Sequence, residues 1–193
     1  MRLGQYCVAT PLQVSFLIDD GCKSATHDGL RFSGGLAFFN CGEASGHSQP
    51  HKHVQIVPLP LGPHSEVSVP IQPLVDAAAA AQSPSNTMFS VTRLPFRNYC
   101  RMLPQGANKI NPQQLAAWQS ELRAVALQSS SGSYNLLLTR HWMMAVPRSK
   151  ERGLGLALNA LAFAGTILVR SASDMERVKD CPMAALAEAG VPW

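Results

Sequence analysis

The chain has 193 residues, 46% of them apolar and 15% charged, with a formal net charge of +4; that is enough to bury one core and too apolar for wholesale disorder. No basic block and no basic run interleaved with aromatics occurs, which argues against a dedicated nucleic-acid binder, while the small positive balance suits an anionic ligand as well as an ordinary surface. Five cysteines, Cys7, Cys22, Cys41, Cys100 and Cys181, lie scattered without a Cys-x-x-Cys pair, so neither a disulfide framework nor a zinc knuckle is implied, and the expected compartment is reducing.

In chain order, Met1 to Tyr6 lacks the apolar core of a signal peptide. Gln5 to Thr10 is predicted as a short strand and Val14 to Ile18 as a second apolar run. Asp19-Asp20-Gly21 reads as a turn whose paired carboxylates are turn residues, and Cys22 to Gly34 as loop. Gly35 to Asn40 is predicted as a buried strand that delivers the chain to Cys41-Gly42-Glu43. Then comes Ser45-Gly46-His47-Ser48-Gln49-Pro50-His51-Lys52-His53-Val54-Gln55-Ile56-Val57-Pro58. Alternate residues of an extended strand share a face at about 6 to 7 Å spacing, so His51, His53 and Gln55 line one side and Lys52, Val54 and Ile56 the other. A row of imidazoles beside small residues suits nucleotidyl transfer through a covalent histidine. One ring nitrogen attacks phosphorus while backbone N–H groups of Ser45 to Gln49 converge on the phosphoryl oxygens. Two plainer readings stand beside it: a metal cluster of His47, His51, His53 and His64, or half-exposed strand residues.

From Pro58 to Pro95 frequent prolines favour irregular chain, with a short helix over Val75 to Ala81 and a strand over Phe89 to Phe96. Asn111 and Pro112 open the clearest helix, in which Leu115, Trp118, Leu122 and Val125 repeat at helical spacing up to Gln128. Trp118 is taken as core. Tyr134 to Thr139 and Trp142 to Pro147 form a hairpin split by Arg140-His141. The most apolar stretch, Leu154 to Val169, is interrupted by Gly155, Asn159, Gly165 and Thr166 and falls short of a membrane span. Gly165 to Val169 is expected as a last strand. Ser173 and Glu176 have capping-box spacing for a helix up to Cys181, and Pro182 restarts a helix closed by Gly190.

The segment Gly46 to Pro60 resembles the active-site segment of the ATP adenylyltransferases, or diadenosine tetraphosphate phosphorylases, within the histidine-triad and galactose-1-phosphate uridylyltransferase superfamily. Tyr134 to Glu151 and Leu158 to Ser171 resemble the C-terminal part of the same family, in the same order. His47 departs from the family's usual Gly-Ala-Ser-Gln, and Lys52 stands where the uridylyltransferases carry Pro, which favours the adenylyl branch.

The resemblance implies an α+β fold, a histidine-triad-like antiparallel sheet (half-barrel) with flanking helices, lacking N-terminal elements that the family carries. It implies one domain over 1–193: an active-site half (1–62), a Pro-rich connection (63–110) and a C-terminal half (111–193). The implied reaction is phosphorolysis of diadenosine tetraphosphate to ATP and ADP. His53 is the implied nucleophile, with His51 buttressing the motif and Gln55 donating to a phosphoryl oxygen. Gly46, His47, Ser48 and Gln49 would cradle phosphates, and Asn40, Leu137, Leu138, Thr139, Met144 and Arg148 would contact the nucleotide. No protein metal site and no tightly bound cofactor is expected, although magnesium can accompany a polyphosphate. The expected ligands are a dinucleoside polyphosphate, ATP, ADP and phosphate, in the cytoplasm or an organelle, without nucleic acid or membrane. A catalytically incomplete nucleotide binder and a sugar-nucleotide phosphorylase are the alternatives.

Overall fold

The computed structural model of the chain describes residues 34–48, 52–61, 69–82, 87–105 and 110–193. The strands expected at 5–10 and 14–18, the turn at 19–21, and Gln49, His51 and His64 lie outside the described residues.

Among the described residues five strands, β1 (Gly35–Cys41), β2 (Val54–Pro58), β3 (Tyr99–Met102), β4 (Tyr134–Leu138) and β5 (Trp142–Pro147), make an antiparallel sheet in the order β2-β1-β4-β5-β3. A two-stranded ribbon follows, β6 (Arg152–Gly153) with β7 (Leu156–Ala157). The flanking helices are α1 (Gln72–Gln82), α2 (Pro112–Gln128), α3 (Ala160–Phe163), α4 (Ala172–Asp180) and α5 (Pro182–Ala189). Among the described residues no helix is long and apolar enough to cross a membrane.

Cross-strand register decides which side chains meet. Phe38 lies opposite both Gln55 and Leu137, Leu137 opposite Met144, and Met144 opposite Cys100. Since side chains alternate across a strand, this row shares one face. That face packs with Val75 of α1, Phe163 of α3, Leu186 of α5 and Phe96. The other face presents Ala37, Leu138, Met143 and Ala145 to Leu115, Trp118, Leu122 and Ala126 of α2. The sheet is thus buried on both sides, which is why β5, with every residue buried, reads as a continuous apolar run.

The hairpin β4–β5 and helix α2 form where the sequence predicts them. Asn111 Oδ1 accepts from the Gln114 amide at 2.7 Å, and Pro112 occupies the first turn, where its missing N–H costs nothing. Ala126, not Val125, completes the buried stripe. Asn111→Ala is expected to lower stability by about 1 kcal/mol, read as a shifted urea midpoint with unchanged slope.

Three expectations are corrected. The segment Phe89 to Phe96 is not a strand; it makes one bridge, Phe89 to Cys100, and is otherwise folded around Asn98. The Asn98 side chain accepts from the Val91 amide at 2.7 Å and donates to the carbonyls of Val91 and Phe96 at 3.1 and 3.0 Å, so one side chain replaces a strand partner. The strand is β3, four residues that include Arg101, whose guanidinium bonds Glu121 at 2.5 Å and lies over the Trp118 ring. Gly165 to Val169 is irregular rather than a last strand. Helix α4 is capped by Ser171, whose hydroxyl accepts from the Asp174 amide at 3.1 Å, not by Ser173.

Burial distinguishes the cysteines. Cys100 is fully enclosed, and burial pushes its thiol far up from the ordinary range, whereas Cys181 is exposed. A thiol reagent should therefore label Cys181 in the native chain and Cys100 only after unfolding, as mapped by peptide mass analysis.

Candidate nucleotide site

The site gathers at the end of the β1–β2 pair. Continuing the register in which Phe38 meets Gln55 and Phe39 meets Val54, the next residues bring His53 opposite Asn40. His53, Gln55 and Asn40 therefore share the face on which Asn135 of β4 also lies, directly across from Asn40. His53 and Gln55 are half-buried, and the His53 ring has its Nδ1 enclosed.

Beyond Asn40 the chain turns sharply through Glu43–Ser45, a single turn of 3₁₀ helix, into Gly46, His47 and Ser48. Two glycines make this possible. Gly42 (φ 82°) lies so close to Ser133 that an added Cβ would sit 2.4 Å from its hydroxyl, and Gly46 (φ 74°) so close to Leu158 that a Cβ would sit 2.5 Å from its carbonyl oxygen. Gly46→Ala should cost roughly 1–3 kcal/mol, read as a lowered melting temperature, because both its backbone angle and its contact resist a side chain. His47 and Ser48 stand exposed at the end of this loop.

A buried polar cluster fixes the loop from below. Arg148 has no exposed surface. Its Nε donates to the Ala189 carbonyl at 3.1 Å. One terminal nitrogen donates to Asn135 Oδ1 at 2.5 Å, Ser45 O at 3.2 Å and Leu158 O at 3.1 Å, and the other to Lys150 O at 2.7 Å, Leu158 O at 3.1 Å and Glu151 O at 3.3 Å. The guanidinium also lies 4.7 Å from the centre of the Phe163 ring. Burial pushes its pKa down to about 10, with Glu151 opposing, which leaves it charged at neutral pH. Asn135 Nδ2 in turn donates to Asn40 Oδ1 at 2.7 Å and Ser45 O at 2.9 Å. The Ala160 amide donates to the same Asn40 oxygen at 2.9 Å.

This geometry sorts the expected site residues. Asn40, His53 and Gln55 lie toward the same end of the β1–β2 pair, and Gly46, His47 and Ser48 follow in the loop whose Ser45 carbonyl is held by Asn135 and Arg148. The expected C-terminal contacts do not join them as open side chains. Arg148, expected to contact the nucleotide, is instead a buried hub, because its donors are spent on protein oxygens. Leu137 and Met144 are core on the face toward α3, Leu138 is core on the face toward α2, and Thr139 closes the β4–β5 turn. The Thr139 hydroxyl accepts from the amides of His141 and Trp142, both at 3.1 Å. Asn135 went unnoticed in the sequence; its signal was an amide set inside an otherwise apolar strand, where a buried polar group needs partners.

Residues 92–192 match the family model described as the ATP adenylyltransferase C-terminal domain, and residues 13–77 that of the Ap4A phosphorylase N-terminal domain. The chain is similar to diadenosine 5',5'''-P1,P4-tetraphosphate phosphorylase 2 of Saccharomyces cerevisiae, 29% identical over 162 residues that cover 76% of this chain and 48% of that protein. It is also similar to Protein APA1 of the same yeast, 26% identical over 161 residues covering 76% of this chain and 49% of that protein. The chain thus spans about half the length of the curated relatives it matches. The crystal structure of yeast Ap4A phosphorylase Apa2 in complex with AMP superposes with a TM-score of 0.72 at 26% identity, covering 99% of this chain and 67% of that one. The complex with Ap4A gives a TM-score of 0.73 at 24% identity, covering 96% and 64%.

Proposed function

The chain belongs to the Ap4A phosphorylase and ATP adenylyltransferase family, and from that membership we propose that it cleaves diadenosine tetraphosphate with inorganic phosphate, reversibly, through an adenylyl group carried on His53. The observation that carries the reading is the shared face of His53, Gln55 and Asn40 beside the tight loop Gly46 to Ser48.

In the first step a lone pair of His53 Nε2, the ring nitrogen other than the enclosed Nδ1, bonds to the α-phosphorus. The bridging P–O bond breaks and ATP leaves with its electron pair. In the second step a phosphate oxygen attacks the same phosphorus, the N–P bond breaks, and ADP is released. Gln55 donates to a phosphoryl oxygen, as a neutral amide that does not compete for protons. The amides of the Gly46 to Ser48 loop receive the negative charge that develops on the phosphoryl oxygens. His51 and Gln49 complete the motif as buttress and cradle. A divalent cation, where the reaction uses one, enters with the polyphosphate.

We place 1–193 in one histidine-triad-like domain whose sheet is the family's half-barrel. A substrate panel tests the reading: phosphate-dependent ATP and ADP from diadenosine tetraphosphate support it. Turnover of sugar nucleotides in preference to it, or binding without products, would replace it with another reading of the same fold.

A further inference from the structure

Asn40 has one carboxamide oxygen and one carboxamide nitrogen, and which of them faces the ligand decides whether the site offers a donor or an acceptor there. We propose that Asn135, oriented by the buried guanidinium of Arg148, is a positioning residue that locks the Asn40 amide with its N–H groups toward the ligand, so that this place accepts a phosphoryl oxygen. The proposal rests on the nucleotide reading above and deepens it.

The polarity can be followed from groups that have no choice. Arginine only donates, so the Asn135 atom 2.5 Å from it is the oxygen. The atom of Asn135 facing the Ser45 carbonyl at 2.9 Å is then the nitrogen, and a carbonyl, which only accepts, demands the same answer independently. That nitrogen also meets Asn40 at 2.7 Å, so the Asn40 atom there is its oxygen. The Ala160 backbone N–H, a donor without alternative, reaches the same atom at 2.9 Å. Three fixed groups, Arg148, Ser45 O and Ala160 N–H, thus determine both amides. Turning either one over would set oxygen against oxygen or N–H against N–H inside a buried cluster.

What remains of Asn40 is Nδ2, on a half-buried residue that the continued β1–β2 register sets opposite His53. It can only donate. An anionic phosphoryl oxygen is the acceptor that gains most from such a donor.

Two measurements test this on the full chain. In a spectrum of protein labelled with ¹⁵N at asparagine, ATP should move the Asn40 side-chain amide signal, adenosine should leave it in place, and the Asn135 amide should stay protected from exchange. Asn135→Asp keeps an acceptor for Arg148 but faces Asn40 and Ser45 O with an oxygen, which forces the Asn40 amide to turn. ATP affinity should then fall roughly tenfold or more, with adenosine affinity within about twofold. Equal losses for ATP and adenosine, or unchanged ATP affinity in the folded variant, would overturn the proposal. Where Asn135→Asp does not fold, Asn40→Asp decides. It keeps both bonds to the Asn40 oxygen, so the melting temperature should hold while ATP binding is lost. Retained ATP binding would contradict the lock. ATP-induced movement of Asn40 without adenylylated His53 would leave this inference standing and remove the reaction; adenylylation with a motionless Asn40 would do the reverse.

Discussion

His53→Ala should lower phosphorolysis of diadenosine tetraphosphate by on the order of 10⁴-fold or more, while leaving ATP affinity and the melting temperature close to those of the native chain. In the proposed reaction the His53 imidazole is the bond-forming group. Gln55 is an amide without a nucleophilic lone pair, and His47 stands exposed in the loop rather than on the strand face. The small folding effect follows from its surroundings, since His53 is half-buried and belongs to neither core cluster. Gln55→Ala supplies the contrast. Removing one donor to a charge that develops in the transition state typically costs about 10²- to 10³-fold, so the variant should stay measurable. Product chromatography together with calorimetric melting separates the two cases. If His53→Ala kept more than a few per cent of activity, the covalent route would be wrong.

Arg148→Met should cost about 3–5 kcal/mol, the largest stability loss of any single change near the site. The reason is what the guanidinium leaves behind. Leu158 O and Asn135 Oδ1, both in buried bonds, have no other donor among the described residues, whereas Ser45 O keeps Asn135 and Ala189 O keeps the Ser149 amide. Each buried acceptor stripped of its partner costs roughly 1–3 kcal/mol. Arg148→Lys should recover little, because an ammonium on a flexible stem cannot span oxygens contributed by Ser45, Asn135, Leu158 and Ala189 together. Denaturant titration reads both variants. A loss below about 1 kcal/mol for Arg148→Met would mean that the hub is not what fastens the loop, since even one stripped acceptor should cost that much.

Much of this was legible in the sequence because local rules decide it. An Asn-Pro start and helical spacing of Leu115, Trp118 and Leu122 mark α2, and an apolar pair split by Arg140-His141 marks the β4–β5 hairpin. Gln55 faces Phe38 because the β1–β2 register places it there, and His53 continues that alternation just before β2. Other features depend on partners far along the chain. Residues 89–96 look extended and apolar, yet the Asn98 side chain holds them in turns. The short strand β3 hides because Arg101, which looks like a surface residue, finds Glu121 and Trp118 on α2. Arg148, in a polar run with Ser149 and Lys150, carries no local sign of burial. Only the sheet register brings it under Ser45 and against Asn135, and register is a property of five strands together rather than of any one segment.

The most direct measurement is mass analysis of the 193-residue chain quenched after incubation with diadenosine tetraphosphate in the absence of phosphate, followed by peptide mapping under conditions that spare a phosphoramidate bond. One adenylyl group on the peptide carrying His53, discharged as ADP when phosphate is added, is the predicted result. Unmodified protein from a preparation that forms ATP and ADP once phosphate is supplied, or an adenylyl group on another residue, would contradict it.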